Sequence, residues 1–376
     1  MFELSKDQET AFNAYCEWRK SGKKLMTLGG VGGSGKSFLI SYIKEKFPMT
    51  RIAFCAFTGR AALVLKNKLE SRIRLEDYCG TIHGLIYHPV IDKKTKKIKY
   101  WKRNPYLSYD LIIVDEASMV DEFIFKDLSS YDIPILAVGD HCQLPPVNGN
   151  FNLMQNPDVK LETPHRFAAN QSLIKVASIA RETGKIPFGE FGEGIKKLSY
   201  RQFMNSEFEK YVKSQDFSGG DSVIICAYNK TRINLNNQIR SILGLHGGPQ
   251  SKDRVVCLKN NKKNFPPIFN GLCGNIKKID FKKHCSDLYD ATISLDGCED
   301  EYSGDISKDS FSNQSPDLSK KEIDYFDYGY ALTTHKCQGS EFKNVLVIEQ
   351  ECDLWDHKRW IYTAISRSSK NLIILK

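Results

Sequence analysis

The segment Gly30-Val31-Gly32-Gly33-Ser34-Gly35-Lys36-Ser37 constrains this chain more than any other. It matches the pattern G-x-x-x-x-G-K-[ST], whose glycines let backbone N–H groups close around phosphate oxygens at the positive end of a helix. The flanking sequence has the required form. Lys24-Leu25-Met26-Thr27-Leu28 is a short apolar run that predicts a buried parallel strand, and Phe38-Leu39-Ile40-Ser41-Tyr42-Ile43 continues as an apolar-periodic helix. The segment therefore predicts an ATP site. The backbone of Gly30, Gly32, Gly33, Ser34 and Gly35 would cradle the phosphates, Lys36 would reach the β- and γ-phosphates, and the Ser37 hydroxyl would hold Mg²⁺.

A second apolar run, Leu111-Ile112-Ile113-Val114, ends in Asp115-Glu116. An acid at the end of a buried strand beside a phosphate loop is the usual second Mg²⁺ ligand, so Asp115 is assigned to the metal. Glu116 is then the base that orients the attacking water.

With 376 residues the chain is too long for one compact core, and two or more domains are expected. A hydrophobic content of 41% and a charged content of 26% are ordinary for a soluble globular protein. No apolar run approaches the roughly 20 residues that span a bilayer. Met1-Phe2-Glu3-Leu4-Ser5-Lys6-Asp7 has neither the basic start nor the apolar core of a signal peptide. The eleven cysteines are scattered and lack C-x-x-C spacing, which favours reduced thiols in a cytoplasmic setting over disulfides or a zinc site. The formal net charge is +9, with lysines clustered at 93–103, 262–263, 277–278 and 282–283. Such patches on an ATPase favour a polyanionic partner, nucleic acid above all.

Apolar runs near 24–28, 51–57, 111–114 and 134–138, separated by helical segments, predict an α/β layer with a mostly parallel sheet. Runs at 222–227, 344–348 and 371–375, with helices around 231–243 and 358–366, predict a second α/β layer. Between them, 244–324 has a different texture. Short β-like pieces at 254–258, 274–279 and 289–295, and a polar stretch at 297–320, predict a small β-barrel-like domain with a flexible loop.

The motifs and their order resemble those of superfamily 1 helicases, in the branch containing RecD, the phage Dda helicase and the Pif-type helicases. The resemblance implies an α/β fold of two RecA-like motor domains, 1–165 for the first and 166–243 with 325–376 for the second. It implies a β-hairpin insertion at 84–109 in the first and an SH3-like β-barrel insertion at 244–324 in the second. Leu4-Ser5-Lys6-Asp7-Gln8 resembles the adenine-reading segment, with Gln8 as its glutamine. Ala56-Phe57-Thr58-Gly59-Arg60-Ala61-Ala62 and Thr81-Ile82-His83 resemble segments that line the DNA path. Gly139–Val147 resembles the motif whose glutamine, here Gln143, senses the γ-phosphate. His165-Arg166 fits the first arginine that reaches that phosphate. Tyr330–Glu341 resembles a long motif joining DNA to nucleotide, with Gln338 and Glu341 on the nucleotide side. Tyr362–Arg367 resembles the terminal motif, with Arg367 as the second arginine.

These likenesses have a physical sense. Phosphoryl transfer builds charge on the γ-phosphate oxygens, which Arg166 and Arg367 would stabilise. Short side chains at strand ends, Thr58, Thr81, His83, Thr334 and His335, suit phosphate contacts that read no bases. The segment 87–103 predicts a β-hairpin, and in relatives such a hairpin carries a pin that splits the duplex. Tyr100 or Trp101 would be the stacking residue. The expected activity is an ATP-dependent DNA helicase that moves 5′ to 3′ on single-stranded DNA, a direction implied by the resemblance alone. The expected partners are single-stranded and forked duplex DNA, with a single-strand-binding protein or replisome component beside them, no membrane, and a monomeric chain. Two alternatives stay open: a superfamily 1 RNA helicase, and an ATP-switched single-strand-binding or loading module that does not unwind.

Overall fold

The computed structural model describes residues 4–69, 71–91, 98–146, 151–163, 171–261, 266, 268–282, 287–298, 300–312, 318, 323–353 and 355–376. The chain divides into two compact units, Met1–Ala169 and Asn170–Lys376.

The first unit runs α1 (Lys6–Ser21), β1 (Leu25–Gly30), α2 (Lys36–Lys46), β2 (Ile52–Ala56), α3 (Gly59–Leu69), β3 (Tyr78–Thr81), α4 (Ile82–Ile86), β4 (Tyr87–Ile91), β5 (Ile98–Arg103), β6 (Leu111–Asp115), α5 (Glu122–Ser129), β7 (Ile135–Gly139) and β8 (Val159–Leu161). Six strands form one sheet in the order β3-β2-β6-β7-β1-β8, parallel at every pairing. A parallel sheet is covered on both faces, so its strands are apolar throughout and feed alternate residues to two cores. Leu111 and Ile113 pack with Ala11, Tyr15 and Ile40 on one side. Ile112 and Val114 pack with Ile82, Leu85 and Leu128 on the other. The chain begins α1 at Ser5, whose N–H donates to Gln8 Oε1 at 3.1 Å, and ends it at Gly22 in the left-handed region. Strands β4 and β5 pair antiparallel, apart from the six-stranded sheet.

The second unit runs α6 (Gln171–Thr183), β9 (Gly189–Gly192), β10 (Ile195–Leu198), α7 (Tyr200–Ser206), α8 (Phe208–Ser214), β11 (Ser222–Cys226), α9 (Asn229–Ile242), β12 (Arg254–Cys257), β13 (Cys273–Phe281), β14 (Leu288–Leu295), β15 (Glu301–Ser307), β16 (Phe326–Tyr328), β17 (Ala331–Thr333), β18 (Phe342–Ile348), α10 (His357–Ile365) and β19 (Ser368–Leu375). One sheet has the order β17-β11-β18-β19-β10-β9, parallel except for its edge strand β9. The other, β15-β14-β13-β12-β16, is antiparallel throughout and carries its own core around Val255, Ile276, Ile293, Tyr302 and Phe326.

Two elements depart from the sequence reading. The polar stretch 297–320 contains strand β15, because Tyr302 and Ile306 point into the core of the antiparallel sheet while Glu301 and Ser303 face out. Strand β10 includes Lys196 and Lys197, charges that hide a parallel strand. Lys197 is nonetheless buried, with its ammonium 2.5 Å from Glu349 Oε2 and over the ring of Phe188. The described cysteines are all free, and among the described residues no helix is long and apolar enough to cross a membrane.

Candidate nucleotide site and nucleic-acid-facing residues

In the first unit, β1 delivers the chain into the glycine loop and α2 begins at Lys36. Gly33 (φ +78°) and Gly35 (φ +83°) adopt left-handed backbone that other residues resist. Gly30 is required for a different reason: a Cβ there would lie 2.6 Å from Ser34 Oγ. Lys36 folds back over the loop and donates to Gly30 O at 2.7 Å and Val31 O at 3.1 Å. Gln8, buried at the start of α1, reaches the same loop, its Nε2 donating to Ser34 O at 3.4 Å.

The carboxylates emerge from the end of β6, between β2 and β7. Burial pushes Asp115 up to about 6, and the Glu116 carboxylate adds to the rise while the Lys36 ammonium opposes it. Asp115 Oδ1 accepts the Glu116 N–H at 2.9 Å. Glu116 itself holds φ +52°, a left-handed conformation that costs a non-glycine residue about 1 kcal/mol or more. Glu116 Oε2, Ser34 Oγ and Ser118 Oγ are buried without a hydrogen-bond partner among the described residues. Orphaned buried oxygens are costly, and their concentration on the phosphate loop and the turn after β6 marks a place built for a ligand. Asp140, at the end of β7, is fully buried and receives Gln143 Nε2 at 3.0 Å, which fixes the amide. The Ser37 hydroxyl and the Asp115 carboxylate are hard oxygen donors that fit Mg²⁺. The cation Lys68, on α3, was not legible as part of the site. It donates to Ser37 Oγ at 3.4 Å, and its charge also acts on Asp115. Ser118 was also missed, and nothing in its sequence context beyond its position after Asp115-Glu116 distinguishes it.

Also in the first unit, Thr58 Oγ1 accepts the Ala61 N–H at 3.2 Å at the start of α3. Thr81 Oγ1 accepts the Gly84 N–H at 3.0 Å and caps α4. Thr81 is largely buried, so its hydroxyl serves the helix rather than solvent. His83 is exposed, its ring 6.3 Å from Phe57 and 5.8 Å from Tyr87. Tyr100 (52% exposed) and Trp101 (50%) stand on β5, opposite Val90 and Pro89. The lysine-rich tip, 93–97, lies outside the described residues, as does Arg166.

In the second unit, Arg367 is buried. Its guanidinium donates to Thr363 O at 3.1 Å, Ser340 O at 3.2 Å and Ser366 Oγ at 2.9 Å. Here it braces α10 against the loop before β18. Thr334 is fully buried and donates to Cys226 O at 3.4 Å, which makes it a brace and removes its hydroxyl from solvent. His335 follows in a 3-10 turn, edge-on to Trp355 at 5.6 Å, and burial lowers its pKa, so the ring is held neutral. Gln338 is buried and Glu341 exposed.

Fold and site together define a P-loop protein of two α/β units. Residues 16–149 match the AAA domain model, and residues 328–375 match the model of the UvrD-like helicase C-terminal domain. The chain is 26% identical to the ATP-dependent RecD2 DNA helicase of Deinococcus radiodurans, over 93% of its own length and 46% of that protein's. It is 28% identical to the ATP-dependent DNA helicase Dda of phage T4, over 63% of its own length and 57% of that protein's. The chain thus spans about half the length of these relatives. Its fold is that of Pif1 helicase from Bacteroides, a structure in complex with ADP-AlF3 and ssDNA, with a TM-score of 0.61 at 17% identity, covering 100% of this chain and 92% of that one. The relatives are superfamily 1 helicases of the RecD, Dda and Pif type, as the order of motifs led us to expect.

Proposed function

We propose that the chain is an ATP-dependent DNA helicase that translocates 5′ to 3′ on single-stranded DNA and opens forked duplex. The observation that carries the proposal is the grouping of candidate hydrolytic residues in the first unit. Lys36 lies over the phosphate loop, and Asp115 and the strained Glu116 stand at the end of β6, with Glu116 Oε2 unpartnered. A module that binds ATP without turning it over has no need of such a base. In this reading Gln8, the loop backbone, Gln338 and Glu341 bind nucleotide. Ser37 and Asp115 hold Mg²⁺, which supplies positive charge to the phosphates. Glu116 Oε2 takes a proton from the attacking water, and Lys36, Gln143, Arg166 and Arg367 stabilise charge on the transferred group.

Residues 1–165 would be the first motor domain, and 166–243 with 325–376 the second. The hairpin within 84–109 would be the duplex-splitting pin and 244–324 an SH3-like insertion. The strand-facing residues are Thr58, His83, His335 and the hairpin aromatics. Thr81 and Thr334 position the turns that carry them. The direction of movement rests on the resemblance to the RecD, Dda and Pif branch.

Strand displacement on substrates with a 5′ or a 3′ overhang tests the proposal. The expected result is unwinding from the 5′ tail only. Efficient unwinding from a 3′ tail overturns the direction, and stimulation by RNA but not by DNA overturns the substrate. ATP-dependent binding without unwinding on either tail reduces the chain to a loading module.

A further inference from the structure

We propose that Asn236 and Tyr330 are positioning residues that lock the antiparallel sheet of the second unit onto α9, and so set the turn at Thr334–Cys337 for a nucleic-acid strand. The inference rests on the helicase reading above.

Helix α9 carries a polar stripe at helical spacing, Arg232, Asn236 and Arg240, and all three are buried. Each engages the backbone or a carboxylate where the chain enters or leaves the antiparallel sheet. Arg240 grips Asp253 through Nε at 2.9 Å and Nη2 at 3.0 Å, and also donates to Gly247 O and Gly248 O at 2.9 and 2.7 Å. Arg232 Nη1 donates to Asp327 Oδ2 at 2.7 Å. Asn236 Nδ2 donates to Tyr328 O and Ala331 O, both at 3.1 Å, and its Oδ1 accepts the Ala331 N–H at 2.8 Å. One side chain thus holds both ends of the link between β16 and β17.

The link is fixed from its other side as well. Tyr330 is buried. Its hydroxyl donates to Asp253 Oδ1 at 2.9 Å and accepts the Arg254 N–H at 3.1 Å. Gly329 presses against β12 so closely that a Cβ would lie 2.8 Å from the Val255 carbonyl carbon. Strand β17 then leads straight into the turn with Thr334 and His335. That turn feels the same network, since the ammonium of Lys336 lies in the field of Arg232 and Asp327.

Apolar packing would hold a helix to a sheet equally well. A buried polar stripe is tolerated because every group is satisfied, and a satisfied network admits one arrangement where an apolar contact admits several. Here the single arrangement is transmitted along β17 to the turn.

The test uses the full chain carrying Asn236→Ala or, as the milder change, Tyr330→Phe. ATP hydrolysis is measured without nucleic acid and against oligo(dT) concentration, with thermal melting alongside. Losing buried hydrogen bonds that hold the turn should raise the oligo(dT) concentration for half-maximal stimulation about tenfold in Asn236→Ala and about threefold in Tyr330→Phe. The nucleic-acid-free rate should change by less than the half-maximal concentration does, because Lys36, Asp115 and Glu116 lie in the first unit and the turn would reach the nucleotide only through Gln338, Glu341 and the contact of Arg367 with Ser340 O. An unchanged half-maximal concentration with a lowered melting temperature overturns the positioning role. So does a proportional fall of both rates. A wild-type chain that oligo(dT) fails to stimulate overturns the helicase reading itself.

Discussion

The proposed chemistry of the first unit centres on one side chain, Glu116. It is a non-glycine residue at φ +52°, with a buried carboxylate oxygen that lacks a partner among the described residues. Both features cost stability, which is how a site built for reaction differs from one built for packing. Replacing Glu116 by Asn removes the carboxylate and supplies a residue that tolerates left-handed backbone. Hydrolysis should fall to background, while unfolding stability should hold or rise by about 0.5–1 kcal/mol. Near-normal hydrolysis in this variant would place the base elsewhere. Arg367 has an observed role and a proposed one. Its three hydrogen bonds to Thr363, Ser340 and Ser366 are structural, whereas its proposed role is to stabilise phosphate charge. Arg367→Ala should therefore lower both the melting temperature and hydrolysis. Arg367→Lys keeps the charge but loses the fork, and should retain ATP binding while turnover falls by roughly a hundredfold to a thousandfold. Equal losses of binding and turnover in the lysine variant would leave only the brace.

At the scale of elements, legibility in the sequence followed periodicity. The strands at Leu25–Gly30, Leu111–Asp115 and Ser222–Cys226 are apolar runs bounded by turns, and the sequence shows them directly. Strand β10 was hidden because Lys197 finds its partner, Glu349, far along the chain, and no local pattern encodes such a pair. Strand β15 was hidden because its outward residues and neighbours are polar, leaving Tyr302 and Ile306 as the whole inward signal. The site was legible to a similar degree. Motif spacing marked Lys36 and Asp115, but the hydroxyls of Thr81 and Thr334 look alike in sequence whether they face a phosphate or cap a helix. The hairpin of β4 and β5 presents Tyr100 and Trp101 about half exposed, although aromatic side chains lose free energy in water. The proposed stacking role would make use of that exposure. Replacing both with Ala should leave DNA-stimulated hydrolysis within about twofold and cut strand displacement by about tenfold or more, since a pin separates strands without driving steps. Loss of hydrolysis together with unwinding would make these residues part of the fold.

At the scale of the whole molecule, each unit carries its own sheets and its own buried cores. The first unit also contains the entire phosphate loop, both carboxylates of β6, and Gln8 against Ser34 O. A core that closes within one unit predicts independent folding, and a phosphate site built mostly within it predicts binding that survives without the other unit. Residues 1–163 expressed alone should unfold cooperatively and bind ATP within about tenfold of the full chain, because the loop backbone and Lys36 supply most of the phosphate contacts. Hydrolysis by this fragment should not respond to single-stranded DNA, since His335 and Arg367 belong to the second unit. Calorimetric titration with ATP, a thermal melt and a stimulated-hydrolysis assay separate the possibilities. A fragment that fails to fold would show that the first unit depends on the second for stability. A folded fragment without ATP binding would show that the nucleotide is held mainly by residues of the second unit, Gln338 and Glu341 first among them. A fragment that DNA stimulates as strongly as the full chain would remove Arg367 from the chemistry, and with it the proposed dependence of hydrolysis on the second unit.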